Sequence, residues 1–198
     1  MTAQFPDTVR YGGDEYVLTA VDGGPPFDPA AHGLAVAPGS TACWRGHVCT
    51  YRLDGDRLLL DRLRVGALAE GASEPPPRLF GVGPRRPGRG TYPPAVYVYA
   101  RLAAPLDFTG RLLVAADPAD AGYVNMGFPP AWLFARVHEL RFSGGRLAEA
   151  YDRSAALAAV RERLGAGGRG PREGEDSREW ISRTFSLSFD YSWPDPDR

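Results

Sequence analysis

"YRLDGDRLLL", residues 51–60, sets the class of structure to expect. Two short apolar-ended runs flank Asp-Gly, and Gly55 can adopt the left-handed backbone that a tight hairpin loop requires. The same figure returns in "LDFTGRLLV" (106–114) and "LRFSGGRLAE" (140–149), with Gly110 and Gly144 at the turns. Their spacing is too irregular for a solenoid or propeller. A meander of antiparallel hairpins is the simpler expectation.

Further strands are predicted in "EYVLTAV" (15–21), "AVYVYARL" (95–102) and "AWLFARVHELRF" (131–142). In 95–102, alternation puts Val96, Val98, Ala100 and Leu102 on one side. Tyr97, Tyr99 and Arg101 then form an aromatic-polar outer face. The Pro/Gly-rich stretches 22–33 and 74–94 read as loops. The second carries Arg78, Arg85, Arg86 and Arg89 and is expected to be a solvated loop. One helix is predicted, with Ser154 as N-cap, Leu157, Val160 and Leu164 as its apolar stripe, and Gly165 as its stop. The predicted fold class is therefore mainly β (α+β). It is an antiparallel meander, sandwich or partly open barrel with one C-terminal helix packed on it and a final edge strand.

That last strand is "TFSLSFDYSW" (184–193), where Phe185, Leu187, Phe189, Tyr191 and Trp193 alternate with polar residues. It follows a polar, Gly-rich stretch. The predicted organisation is a β-rich domain over 1–164, a flexible linker over 165–178 and an amphipathic strand over 179–198. The strand must dock to be ordered, on its own sheet or on a partner. Phe185, Phe189, Tyr191 and Trp193 are its candidate partner-binding residues.

Composition narrows the function classes. With 198 residues, 43% hydrophobic and 24% charged, the chain fits one sizeable globular domain. All 23 basic residues are Arg, and Ile181, Asn125 and Gln4 are each the sole residue of their type. This resembles the coding bias of high-GC bacteria and lowers the weight of any Arg, Gly or Pro. A net charge of −1 argues against nucleic acid and anionic membrane as partners. No leader-like pattern opens the chain and no apolar run reaches about 18 residues, so a soluble cytoplasmic protein is expected.

The densest chemistry lies in "STACWRGHVCTY" (40–51). Read as a strand, it places Cys43, Arg45, His47, Cys49 and Tyr51 on one face and a core Trp44 on the other. The two cysteines lie too far apart on a strand to share a disulfide or metal, so no metal site is expected. A second cluster, "YVNMGFPPAWLFARVHEL" (123–140), offers Tyr123, Asn125, Arg136 and His138. On the strand it contains, Trp132, Phe134, Arg136, His138, Leu140 and Phe142 share a face, while Glu139 points away as a solvent charge.

Both clusters carry an Arg and a His two residues apart. If the strands were neighbours, Arg45, Tyr51, Tyr123, Asn125 and Arg136 would line a pocket for an anionic, nucleotide-like molecule. His47 and His138 are the candidate catalytic acid or base there. No P-loop, dinucleotide-binding glycine pattern, zincin motif or nucleophile elbow is present, and no cofactor is expected. Cys-Trp-Arg-Gly (43–46) and Glu139 resemble elements of ADP-ribosyltransferase domains, but that family's Ser-Thr-Ser and Glu-x-Glu are missing and no family is recognised. The leading expectation is a non-catalytic interaction module that binds a protein partner, as small bacterial immunity proteins do. The alternative is a small enzyme or ligand-binding protein using the Arg/His pocket.

Overall fold

A computed structural model describes residues 2–119, 126–165, 170–171 and 174–194. Eight strands form one sheet: β1 (Thr8–Tyr11), β2 (Asp14–Asp22), β3 (His47–Asp54), β4 (Arg57–Val65), β5 (Tyr97–Pro105), β6 (Gly110–Pro118), β7 (Phe134–Ser143) and β8 (Arg146–Asp152). Their order is β3-β1-β2-β6-β7-β8-β4-β5, and β3 also pairs with β4. The sheet therefore curls into a ring. Its seam is a single bridge between Arg57 of β4 and Arg146 of β8, so the ring is not a true barrel. All pairings are antiparallel except β1 with β3, which makes the sheet mixed.

The hairpins at Gly55 and Gly144 form as the sequence predicts, β3 with β4 and β7 with β8. The segment 106–114 does not. Leu106 and Phe108 are buried plugs on the connection from β5 to β6, which do not pair with each other. Gly110 is needed there because a Cβ would strike the Asp22 carbonyl.

The ring interior is apolar and includes Leu18, Tyr51, Leu60, Leu63, Tyr99, Leu112, Val114 and Leu140. Tyr97 and Tyr99 point into it, the reverse of the predicted outer face. Arg101, Leu102 and Ala103 of β5 sit opposite Asp61 alone, and this irregularity resets which residues face inward. Tyr99 keeps its hydroxyl satisfied by donating to the Pro77 carbonyl at 2.7 Å. The 74–94 loop is anchored rather than simply solvated: Leu79 is buried, and Arg85 bridges Val98 on the free edge of β5.

A second apolar layer lies outside β2, β6 and β7, under helix α1 (Ser154–Leu164). Leu157 and Val160 of α1 meet Leu113, Ala115, Trp132 and Val137 there. Trp132 belongs to a short 3-10 turn (Ala131–Leu133), so Trp132 and Phe134 join this layer rather than the Arg136 face. Ser154 is the first helical residue, and its hydroxyl accepts from Val137 N. No helix among the described residues is long and apolar enough to cross a membrane.

The predicted final strand is absent. In its place are α2 (Ser177–Thr184) and the single turn α3 (Phe189–Ser192). The reason lies in polar residues before and between the aromatics. Asp176 and Glu179 form a reciprocal capping box on α2. Ser188 caps α3 by accepting from Tyr191 N, and Leu187 takes a left-handed φ of 49°. Within the predicted linker, 166–169 and 172–173 fall outside the described residues.

The tail docks on its own domain. Thr184 O accepts from Phe128 N (2.8 Å), Leu187 O from Val21 N (2.9 Å) and Ser192 Oγ from Ala131 N (2.7 Å). Arginines on the sheet receive its aromatics. Arg111 lies over Phe189 at 4.3 Å and Arg153 over Trp193 at 5.3 Å. Between these arginines sits Glu139, which is 1% exposed and so not a solvent charge. It accepts from Arg141 and Arg153, both at 2.8 Å, with Arg111 at 3.6 Å.

Burial pushes the Glu139 carboxyl up, but the bonds from Arg141 and Arg153 outweigh it and hold the group below its ordinary range. Its stabilising contribution is therefore complete above the ordinary carboxylate range and is lost as pH falls through the folded value. Glu139→Gln should cost about 3 kcal/mol at neutral pH. In urea unfolding, its deficit against wild type should shrink in acid. An equal deficit at both pH values would contradict this role.

Candidate functional site

The opening stretch 40–51 is not one strand. Residues 40–46 form turns, Gly46 has a φ of 73°, and β3 begins only at His47. A Cβ on Gly46 would strike the Ala37 carbonyl, so the chain can turn there only with glycine. The turn throws Trp44 outward. Far from being core, it is 60% exposed and meets Phe185 edge-on at 5.9 Å.

Arg45 turns the other way, onto Asp7. Its two terminal nitrogens donate to the two Asp7 oxygens, each at 2.9 Å. Asp7 is 2% exposed and also accepts from Cys49 N at 2.7 Å. Burial disfavours the Arg45 charge, yet Asp7 more than compensates and keeps it firmly protonated. The guanidinium also covers the Phe128 ring at 4.9 Å. Arg45 is therefore held from two sides.

Beside this pair opens a cavity of about 250 Å³. Tyr51 and Leu18 form its floor, Pro26 and Phe27 one wall, and Phe185 and Leu187 of the tail the other. Asp7 and Arg45 line its polar end. Burial, followed by the neighbouring Cys49 and Asp7, pushes the Tyr51 hydroxyl far above its usual range. Burial does the same to the Cys49 thiol, with Asp7 adding to it. Burial lowers His47, whose Nδ1 lies 2.9 Å from the Arg45 carbonyl.

The second Arg/His pair lies elsewhere. Three strands, β1, β2 and β6, separate β3 from β7 one way round the ring, and two, β8 and β4, the other way. Asp7 precedes β1, whereas Arg136 binds Asp14 (2.6 Å), beyond the turn that follows β1, together with Asp117. His138 packs edge-on against Tyr11 (5.6 Å) and Tyr16 (5.3 Å). The two pairs share no partner, so the convergent pocket does not form from them. Tyr123 and Asn125 lie outside the described residues. Of the tail candidates, Phe185 reaches the cavity, Phe189 and Trp193 lie on arginines, and Tyr191 is buried.

Glu139 sits in its arginine cluster on the outer side of the ring, without a bond to the Arg45 turn. Among the described residues, no group of His, Cys, Asp and Glu could hold a metal ion. The residues missed by sequence reasoning are Asp7, Phe128 and the Pro25–Phe27 turn. Asp7 carries no local signal, because its partner is 38 residues away. Comparison with family models, with curated proteins and with solved structures found no match.

Cys43 and Cys49 are both unpaired and buried. Burial raises both thiols, and Cys43 Sγ donates to the His47 carbonyl at 3.8 Å. Neither has the depressed pKa of a reactive thiolate. An aromatic disulfide reagent at neutral pH should label neither thiol until denaturant is added. Rapid labelling of the native chain would restore a nucleophilic cysteine.

Proposed function

We propose that this protein is a binding module that seats an apolar anchor residue of a protein partner in the cavity beside Asp7 and Arg45. The observation that carries the reading is Trp44, 60% exposed at the rim, where it leans on Phe185 of the cavity wall. A large aromatic held outside the core by a glycine turn gains most by burial against another surface. Tryptophan is also among the residues that dominate binding energy at protein interfaces.

The cavity supports a side chain over a cofactor. Its roughly 250 Å³ fall below the usual 300–1,000 Å³ of small-molecule sites. Asp7 and Arg45 neutralise each other, which leaves chiefly apolar walls for an incoming group. Neutralisation of a protein partner, in the manner of an immunity protein, is the finer reading. Two unpaired thiols agree with a partner met in the reducing cytoplasm.

Wild type and Trp44→Ala should be used as baits in lysate of the native host, with quantitative mass spectrometry of bound protein and bound metabolites. The expected result is a stoichiometric protein on the wild type, reduced about 30-fold on the variant, with an unchanged melting temperature. Equal retention on both baits, or a metabolite as the sole bound species, would overturn the reading.

A further inference from the structure

A second cavity, of about 370 Å³, lies on the outer face of β1, β3 and β4, and its chemistry differs from the first. Register sets a polar row across the three strands. Thr8 of β1 is opposite Thr50 of β3, and Thr50 is opposite Arg62 of β4. Arg64 follows two residues along, so its side chain leaves the same face as Arg62. Arg10, Glu15, Phe5 and Tyr92 complete the walls.

The charges do not balance. Arg10 is matched by Glu15 at 3.2 Å and Asp61 at 3.3 Å. Arg62 and Arg64 form no ion pair among the described residues, although both are half-buried. Arg62 Nε is buried without a hydrogen-bond partner among the described residues. The Arg64 guanidinium is depressed first by burial and then by repulsion from Arg62 and Arg10, with Glu15 acting the other way. Two partly desolvated, adjacent and unpaired guanidiniums are costly in a folded chain. Other arginines on or beside the sheet are paired, as Arg45, Arg111, Arg136, Arg141, Arg146 and Arg153 show. Arg57 and Arg101 also form no ion pair among the described residues, but they are exposed to solvent, whereas Arg62 and Arg64 are half-buried.

The geometry points to a site for a small phosphate monoester carrying a flat ring, with the phosphate on Arg62, Arg64 and Thr50 and the ring at Tyr92. A dianionic phosphate matches two guanidiniums, which bind its oxygens as planar donors. The Thr8 hydroxyl donates to Thr50 Oγ1 at 3.3 Å, so the Thr50 proton is available to a phosphate oxygen. Tyr92 is 74% exposed and is braced edge-on by Phe5 at 5.2 Å, which leaves a face for stacking. The volume falls within the range for small-molecule sites. This site is separate from the Trp44 rim, and neither reading depends on the other.

Isothermal titration calorimetry of the full chain with adenosine monophosphate, inorganic phosphate and adenosine tests it. Adenosine monophosphate should bind more tightly than phosphate, adenosine should not bind measurably, and added salt should weaken both anions. Arg62→Gln and Arg64→Gln should each weaken both anions about tenfold or more. Tyr92→Ala changes an exposed ring and should leave folding intact. It should weaken adenosine monophosphate about fivefold or more while leaving phosphate unchanged. Adenosine monophosphate binding no tighter than phosphate, or indifferent to Tyr92→Ala, would overturn the ring assignment. No binding of either anion, or binding that survives both arginine substitutions, would overturn the site.

Discussion

One buried aspartate ties together three stretches of chain: its own, the turn that leads into β3, and β2. Asp7 accepts both terminal nitrogens of Arg45 from the 43–46 turn and the amide of Cys49 on β3, while its own carbonyl accepts from Leu18 N on β2. Those bonds flank the parallel pairing of β1 with β3, which runs for only three residue pairs. Parallel pairing is slightly less stable per residue than antiparallel, and this one joins the two halves of the ring. The same contacts build the cavity. Arg45 covers Phe128, Phe128 N binds Thr184 O, and the next residue, Phe185, meets Trp44. A closed circuit of contacts thus runs from the N-terminal strand through the glycine turn to the tail and back.

Arginine serves two purposes here. On the outer side of β6, β7 and β8, arginines converge on Glu139 and offer their flat faces to Tyr151, Phe189 and Trp193. A guanidinium can pair at its edge and stack on its face at once, which a lysine ammonium cannot do. The tail is held by this means as well as by hydrogen bonds. On the outer side of β4 the pattern breaks, and Arg62 and Arg64 form no ion pair among the described residues. The coding bias explains why the chain has arginine but not why these two are left unpaired.

Much of the sheet was legible in the sequence because its signals are local. Asp-Gly at 54–55 and Gly-Gly at 144–145 each dictate a hairpin, and the stripe Leu157, Val160, Leu164 dictates a helix face. The failures have physical causes of three kinds. An irregular register opposite Asp61 reassigned the inward residues of β5, so alternation alone placed Tyr97 and Tyr99 on the wrong side. A glycine turn inside 40–51 ended the apparent strand and exposed Trp44. In the tail, Ser188, which looked like the wet side of a strand, is a helix cap, Ser192 accepts from Ala131 N, and the capping box at Asp176 and Glu179 was present to be read. The site was least legible. Arg45 was singled out, but its meaning depends on Asp7, a distant acid with no motif around it.

The central claim is that Asp7 and Arg45 form a structural pair that shapes the cavity, and the most direct measurement is a double-mutant cycle on unfolding free energy with Asp7→Asn and Arg45→Met. Each single substitution leaves a buried Asp7 or a half-buried Arg45 without its partner and should cost about 3 kcal/mol. The double substitution removes both charges and should recover much of that loss, giving a large favourable coupling energy. Independent, additive effects, or an Arg45→Met variant as stable as the wild type, would mean that the arginine is not committed to Asp7 and is free for a ligand.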